Sequence, residues 1–376
     1  MEKKINKLGI LTFHNAHNYG ATLQAYALRK KLRNMGYEAD IVNYCNKSIS
    51  KSYPKILRPY FWKRDILPQN WGKVIREIRK CIYAQDAWQK QWESFTKFRN
   101  ESLLEGKTAE LMVSELENSD YDAFLLGSDQ IWASELTRGL DPVYFGEFAL
   151  GKRKISYAAS VPNGSIPERE MEQFRQKLKF IDVISVREEK LAEEVRKLVE
   201  KPVTTVVDPT LLLEACDYEE LISSDVQLDE RYVFAYFVVE NENLLRCAQE
   251  AANKLGAKLI ELHYYEMPNQ KGRNAIADIG PKEFLYYIKN AEMVVTNSFH
   301  GTVFSIIFGK KFYSVYKQNN RISHLLEFLG LKEHHITTEA EVCVEKDIDY
   351  SEVWNKLKAY REHSVSFLQQ AIEKDC

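Results

Sequence analysis

The residues best placed to do chemistry cluster around one histidine. His300 sits in the run Met293-Val294-Val295-Thr296-Asn297-Ser298-Phe299-His300-Gly301-Thr302. Met293 to Val295 read as a short buried strand, and Thr302 to Phe308 as a buried helix stopped by Gly309. A helix N-terminus carries unpaired N–H groups and a partial positive charge, so Ser298, His300, Gly301 and Thr302 together suit a phosphate or carboxylate. Gly301 lets a ligand approach the backbone closely, and an imidazole serves as acid or base near neutral pH. The competing reading is that His300 only caps its helix or packs between elements. A second candidate is Arg187, which follows the apolar stretch Asp182 to Val186 and opens the next helix. A guanidinium there can grip a carboxylate with two parallel hydrogen bonds, or simply pair at the surface with Glu188 or Glu189.

Two polar loops follow strands in the first half. Leu8 to Phe13 leads into His14-Asn15-Ala16-His17-Asn18-Tyr19-Gly20, and Asp122 to Leu126 leads into Gly127-Ser128-Asp129-Gln130-Ile131-Trp132. Ligands of open α/β sheets collect at the carboxyl ends of strands, which is where both loops fall. No G-x-G-x-x-G motif accompanies them, so nothing specifies a dinucleotide.

The elements that must hold these residues form two series of strand-helix alternation. The first has strands at Leu8–Phe13, Glu38–Asn43, Asp122–Leu126, Lys154–Ala158, Asp182–Val186 and Val203–Val207, with helices at Ala21–Met35 and Glu168–Phe180. Polar, acidic sequence from Asp217 to Glu230 reads as a linker. The second series has a strand at Tyr232–Val238, a helix at Asn243–Leu255, and a strand at Lys258–Leu262. A helix opened by Gly280-Pro281, the His300 element, and Lys311–Tyr316 as the closing strand complete it. A helix beginning near Asn320 carries Arg321 in its first turn, and a long terminal helix starts at Tyr350. The expected fold class is α/β, with domains at 1–225 and 226–349 and a helix, 350–376, packing back on the first domain.

Residues 47–105 break the pattern. Lysine and arginine outnumber acids there, and Tyr53, Tyr60, Phe61, Trp62, Trp71, Tyr83, Trp88 and Trp92 interleave them. Such a segment suits an anionic or sugar ligand or the headgroups of a membrane face; equally, it is a solvated helical insertion whose aromatics pack on the main domain. Nucleic acid is disfavoured by the absence of a binding motif and by a net charge of −2. Six scattered cysteines without a C-x-x-C pair argue against a zinc site or disulfide framework. No metal is expected, and the apolar run ending at Phe13 is too short for a signal-peptide core. The expected location is the cytoplasm, including the inner face of the membrane.

Taken in order, Asn18-Tyr19-Gly20-Ala21-Thr22-Leu23-Gln24-Ala25-Tyr26-Ala27-Leu28, Gly127-Ser128-Asp129-Gln130-Ile131-Trp132, Ser185-Val186-Arg187-Glu188, Val207-Asp208-Pro209-Thr210 and Asn297-Ser298-Phe299-His300-Gly301 resemble the polysaccharide pyruvyl transferase family over nearly the whole chain. That resemblance implies two Rossmann-like domains facing a cleft in the GT-B manner. It also implies transfer of the enolpyruvyl group of phosphoenolpyruvate onto a sugar as a ketal, with no cofactor beyond that donor. By the same resemblance His300 and Arg187 are the catalytic residues. Ser298, Gly301 and Thr302 hold the donor, and Asn15, Asn18, Tyr19, Gly20, Asp129, Gln130 and Trp132 face a sugar or lipid-linked oligosaccharide acceptor. Many members carry arginine two residues before the motif histidine; this chain has Ser298, so Arg321 and Lys317 are the candidates to replace that charge. A transferase using a nucleotide-activated sugar and a non-catalytic sugar-binding relative are the alternatives.

Overall fold

The computed structural model describes residues 5–51, 71–148, 150–263 and 273–373. Its frame is two parallel sheets of six strands each. The first holds β1 (Lys7–Leu11), β2 (Glu38–Ile41), β3 (Ala123–Leu126), β4 (Arg153–Ala159), β5 (Val183–Val186) and β6 (Val203–Thr205), in the order β2-β1-β3-β4-β5-β6. The second holds β7 (Tyr232–Tyr236), β8 (Lys258–Leu262), β9 (Ala275–Ile276), β10 (Met293–Thr296), β11 (Lys311–Val315) and β12 (His335–Ile336), in the order β12-β11-β10-β7-β8-β9. Parallel strands covered by helices on both faces need unbroken apolar runs. Accordingly β3, β7 and β10 are buried along their whole length.

In each sheet the chain reverses its direction of growth once, and a crevice opens at that point outside the strand ends. In the first sheet it lies between the neighbours β1 and β3, and in the second between β7 and β10. The loops after β1, β3, β7 and β10 are therefore set up by topology to meet a ligand.

The domains are locked to each other by aromatic packing. Tyr19 leaves the first domain to stack on Phe284 of the second at 4.5 Å, and its hydroxyl donates to the Ile279 carbonyl at 3.0 Å. Part of the Trp71–Phe98 helix runs across the same seam. Gln91 donates to the Tyr19 hydroxyl at 3.3 Å, Trp92 packs on His17 at 3.8 Å, and Ser94 lies so close to Gly280 that a Cβ there would stand 2.0 Å from its Oγ.

The terminal helix Tyr350–Glu373 closes the structure, as expected. Ser364 Oγ accepts from Val207 N at 3.0 Å, and Arg361 donates to the carbonyls of Leu211 and Leu213 in the first domain. At its start, Trp354 Nε1 donates to the Ile306 carbonyl of the second domain.

Several expected boundaries are corrected. The helix after β10 begins at Phe299 rather than Thr302, because Ser298 adopts an extended conformation and its Oγ caps Gly301 N. β11 is not the closing strand: the two-residue β12 pairs beyond it, too short to leave an apolar run. The Asp217–Glu230 stretch is no plain linker, since it begins inside the helix Ala215–Glu219, whose Tyr218 is fully buried and donates to the Thr210 carbonyl. Of the basic segment, residues 52–70 lie outside the described ones, so the calls on Tyr53, Tyr60, Phe61 and Trp62 do too, as do the side chains of Trp71 and Tyr83. Trp92, within it, packs on the first domain.

Candidate active site

Loops from both switch points enclose a cleft of about 970 Å³. The first domain contributes Phe13, Ala16, Asn18, Ala21, Ile49, Asp129, Gln130 and Leu136; the second contributes Val238, Val239, Asn241, Asn297 to His300, and Tyr316 to Asn319 with Arg321. Asn297 ties the second crevice together, its side chain accepting from Val238 N at 2.9 Å and donating to the Val239 carbonyl at 2.6 Å.

Four helices begin at this cleft. Their N-caps are Asn18, Asn241, Ser298 and Asn319, each with its side chain accepting from the first helical turn. Converging N-termini give the space a positive potential without any charged side chain. To it are added Lys317, exposed, and Arg321, half-buried, neither with an acidic partner at ion-pair distance among the described residues. Burial, then the nearby Arg187, holds the Arg321 guanidinium below its ordinary value.

His300 occupies the first turn of the Phe299–Ile307 helix with its side chain about nine-tenths buried. Its Nε2 is buried, has no hydrogen-bond partner among the described residues, and faces Asp208 Oδ2 of the first domain at 3.6 Å. The other side of the ring rests on the first domain too: a Cβ at Gly20 would stand 1.9 Å from His300 Nδ1, so only glycine permits this approach.

Arg187 lies deeper. Its Nη1 donates to Asp208 Oδ2 at 2.7 Å and its Nε to Glu188 Oε1 at 3.1 Å, leaving Nη2 buried without a partner among the described residues. Burial works to lower this guanidinium, but Glu188 and Asp208 hold it above its ordinary value. Asp208 is fully buried; burial alone would raise its carboxyl, yet His300, Arg187 and Thr210 hold it well below the usual carboxylate range. Both arginines lie near the Phe299 ring, Arg187 5.2 Å and Arg321 5.9 Å from its centre.

Of the residues expected at the site, Asn18, Asp129, Gln130, Ser298, His300, Lys317 and Arg321 line the cleft together. Others do not. Trp132 is core, stacked on Phe145 with its indole N–H on the Tyr144 carbonyl, because Ile131 and Trp132 turn inward as the loop closes. Tyr19 is the interdomain bolt already described, and Asn15 is buried. Gly301 packs on Thr296 and Tyr236, and its N–H is taken by Ser298. Thr302 Oγ1 bonds Ser298 O and Ser314 Oγ. The cause is the earlier helix start, which turns both residues one turn into the protein. Sequence reasoning missed Asn297, Phe299 and Asp208 as site residues. The only available signal was that all three lie within the family-like blocks.

A model of the polysaccharide pyruvyl transferase family matches residues 18–319. The chain belongs to this family. It is a family of transferases, and the matched span contains the loops after β3, β7 and β10, Arg187, Asp208 and His300. No curated relative matches the chain. Among solved structures, that of Staphylococcus aureus MnaA with UDP is similar with a TM-score of 0.51 and 12% identity, covering 97% of this chain and 96% of that one. A Listeria monocytogenes protein assigned as a UDP-N-acetylglucosamine 2-epimerase reaches 0.51 and 13%, covering 99% and 97%. At these identities the likeness concerns the fold, which is the GT-B-like pairing of two Rossmann-like domains.

Proposed function

We propose that the protein moves the enolpyruvyl group of phosphoenolpyruvate onto two hydroxyls of a sugar, forming a pyruvate ketal on a surface polysaccharide or its lipid-linked precursor. The observation that carries this reading is the placing of an imidazole, His300, in the same cleft as two cations, Lys317 and Arg321, that have no acidic partner among the described residues. A small dianion or trianion needs such cations, and ketal formation needs a proton carrier beside them.

The protons balance through one such carrier. His300 gives a proton to the methylene carbon of the donor, which becomes a methyl group and leaves a cation-like centre at the adjacent carbon. A sugar hydroxyl adds there and yields its proton to His300. His300 then also protonates the departing phosphate, and the second hydroxyl adds and returns one to His300. Helix N-termini, Lys317 and Arg321 hold the anionic groups throughout. Arg187 has only Nη2 left to offer the donor. The chemistry needs no cofactor, and the acceptor is a sugar or lipid-linked oligosaccharide. The test is phosphate release and ketal methyl formation from phosphoenolpyruvate with a panel of sugars. His300→Gln is expected to lower kcat by roughly 10² or more, as loss of acid–base catalysis does. An unchanged rate in that variant sinks the assignment.

One observation favours a second reading, a nucleotide-activated sugar as donor: the MnaA neighbour was solved with UDP, and exposed Val238 and Val239 offer the cleft an apolar wall. A thermal shift with a UDP-sugar but none with phosphoenolpyruvate would select it.

A further inference from the structure

We infer that Asp208 is the positioning residue for His300: it keeps the ring proton on Nε2, leaves Nδ1 to exchange protons at the cleft, and does so only while the two domains are held together. This deepens the transferase reading and rests on it for the proton's destination, though not for the contact itself.

Asp208 belongs to the first domain and His300 to the second. The carboxylate is immobilised from three directions. Oδ1 accepts from Thr210 N at 3.0 Å and Thr210 Oγ1 at 2.6 Å, and Oδ2 accepts from Arg187 Nη1 at 2.7 Å. His300 Nε2 approaches the same Oδ2 at 3.6 Å and, among the described residues, has no hydrogen-bond partner of its own. A buried imidazole N–H without an acceptor is costly, and a small closure of the domains would shorten this contact into a hydrogen bond. The partner of one ring nitrogen decides which tautomer the other presents.

Nδ1 is free to act. The position a Gly20 Cβ would take is 1.9 Å from Nδ1, 2.3 Å from Cγ and 2.4 Å from Cε1, which places it over the ring face. Gly20 therefore does not block the in-plane direction of the Nδ1 lone pair. As the acceptor oxygen bonds to the donor carbon, its O–H breaks and the proton moves to Nδ1. The resulting imidazolium faces the Asp208 carboxylate until Nδ1 gives the proton to the departing phosphate oxygen. The other charges around the pair are Glu188, held on Arg187, with Arg321 near Phe299 and Asp129 across the cleft. Because Gly20 and Asp208 both reach His300 from the first domain, opening the cleft removes both supports at once.

The test is a pair of substitutions read in the full chain. Asp208→Asn keeps the shape of the side chain and removes its charge. It is expected to lower kcat at saturating substrate about 30- to 100-fold, to change the phosphoenolpyruvate KM by less than about threefold, and to add little when His300 is already Gln. Gly20→Ala should behave likewise, since its methyl must displace the ring. Equal losses in the wild-type and His300→Gln backgrounds would overturn the inference, leaving Asp208 as an ion-pair partner of Arg187. The same Asp208→Asn/His300→Gln cycle measured by urea unfolding needs no substrate. A coupling above about threefold in the unfolding constant supports the contact, and additivity overturns it. An inactive wild-type protein with intact coupling would sink the transferase reading alone.

Discussion

The two faces of the cleft use their polar residues in opposite ways. Behind the first-domain face, polar side chains are spent on one another. Thr12 Oγ1 donates to the Ser128 carbonyl and accepts from Gln24, His14 bonds Asn43, and Arg187 is closed by Asp208 and Glu188. On the second-domain face Arg321, in the first turn of its helix, and Lys317, in the loop before it, have no acid at ion-pair distance among the described residues. Two arginines near one phenylalanine ring show the contrast most directly. Arg187 is committed to Asp208 and Glu188, whereas Arg321 has no acid at ion-pair distance among the described residues. The lesson is that exposure and partnership, more than residue type, separate a scaffold charge from a binding charge.

Breaking the comparison begins with Arg187. Arg187→Ala leaves Asp208 and Glu188 buried without their cation, so unfolding in urea should show a loss of about 3–5 kcal/mol. A variant as stable as the parent would make Arg187 a free clamp like Arg321. Arg321→Ala should do the reverse, raising the donor KM about ten- to hundredfold while the melting temperature barely moves.

His17 sharpens the first-domain side. Burial, and then the charge of Arg99, pushes its pKa from near 6.5 to about 3, and its ring lies against Trp92 and Phe95. The folded value is the lower one, so this stabilisation is fully present above about pH 6.5 and is lost as pH falls towards 3. Between pH 7 and 5 the loss should be about 2 kcal/mol. Comparing urea unfolding at the two pH values in the wild type and His17→Phe checks this, since the variant should lack that slope. The smallest effect belongs to Tyr19→Phe, which removes the bond to the Ile279 carbonyl and keeps the stacking on Phe284. It should cost about 1 kcal/mol of stability and leave the donor KM alone. A change in acceptor KM instead would return Tyr19 to the binding surface.

Much of the fold was legible because its strands announce themselves. Val183–Val186, Tyr232–Tyr236 and Met293–Thr296 are largely apolar runs each preceded by a charged residue, and each sits where such a run predicts a buried parallel strand. The short strands β9 and β12 were not legible. Two residues carry no periodicity, and their pairing is decided by neighbours already in place.

For the site, chain order alone determined that a histidine, an arginine and two polar loops follow strands, because the carboxyl end of a strand is a local property. Which side chains face the ligand was a matter of direction. One residue's difference in where a helix starts turned Gly301 and Thr302 inward. Closure of a loop buried Trp132. Only the tertiary structure decided that Asp208 stands before His300, as two residues 92 positions apart on different domains meet only when both sheets have formed and Tyr19 has joined them. Such a contact leaves no mark in local sequence, because the energy that creates it comes from packing elsewhere in the molecule.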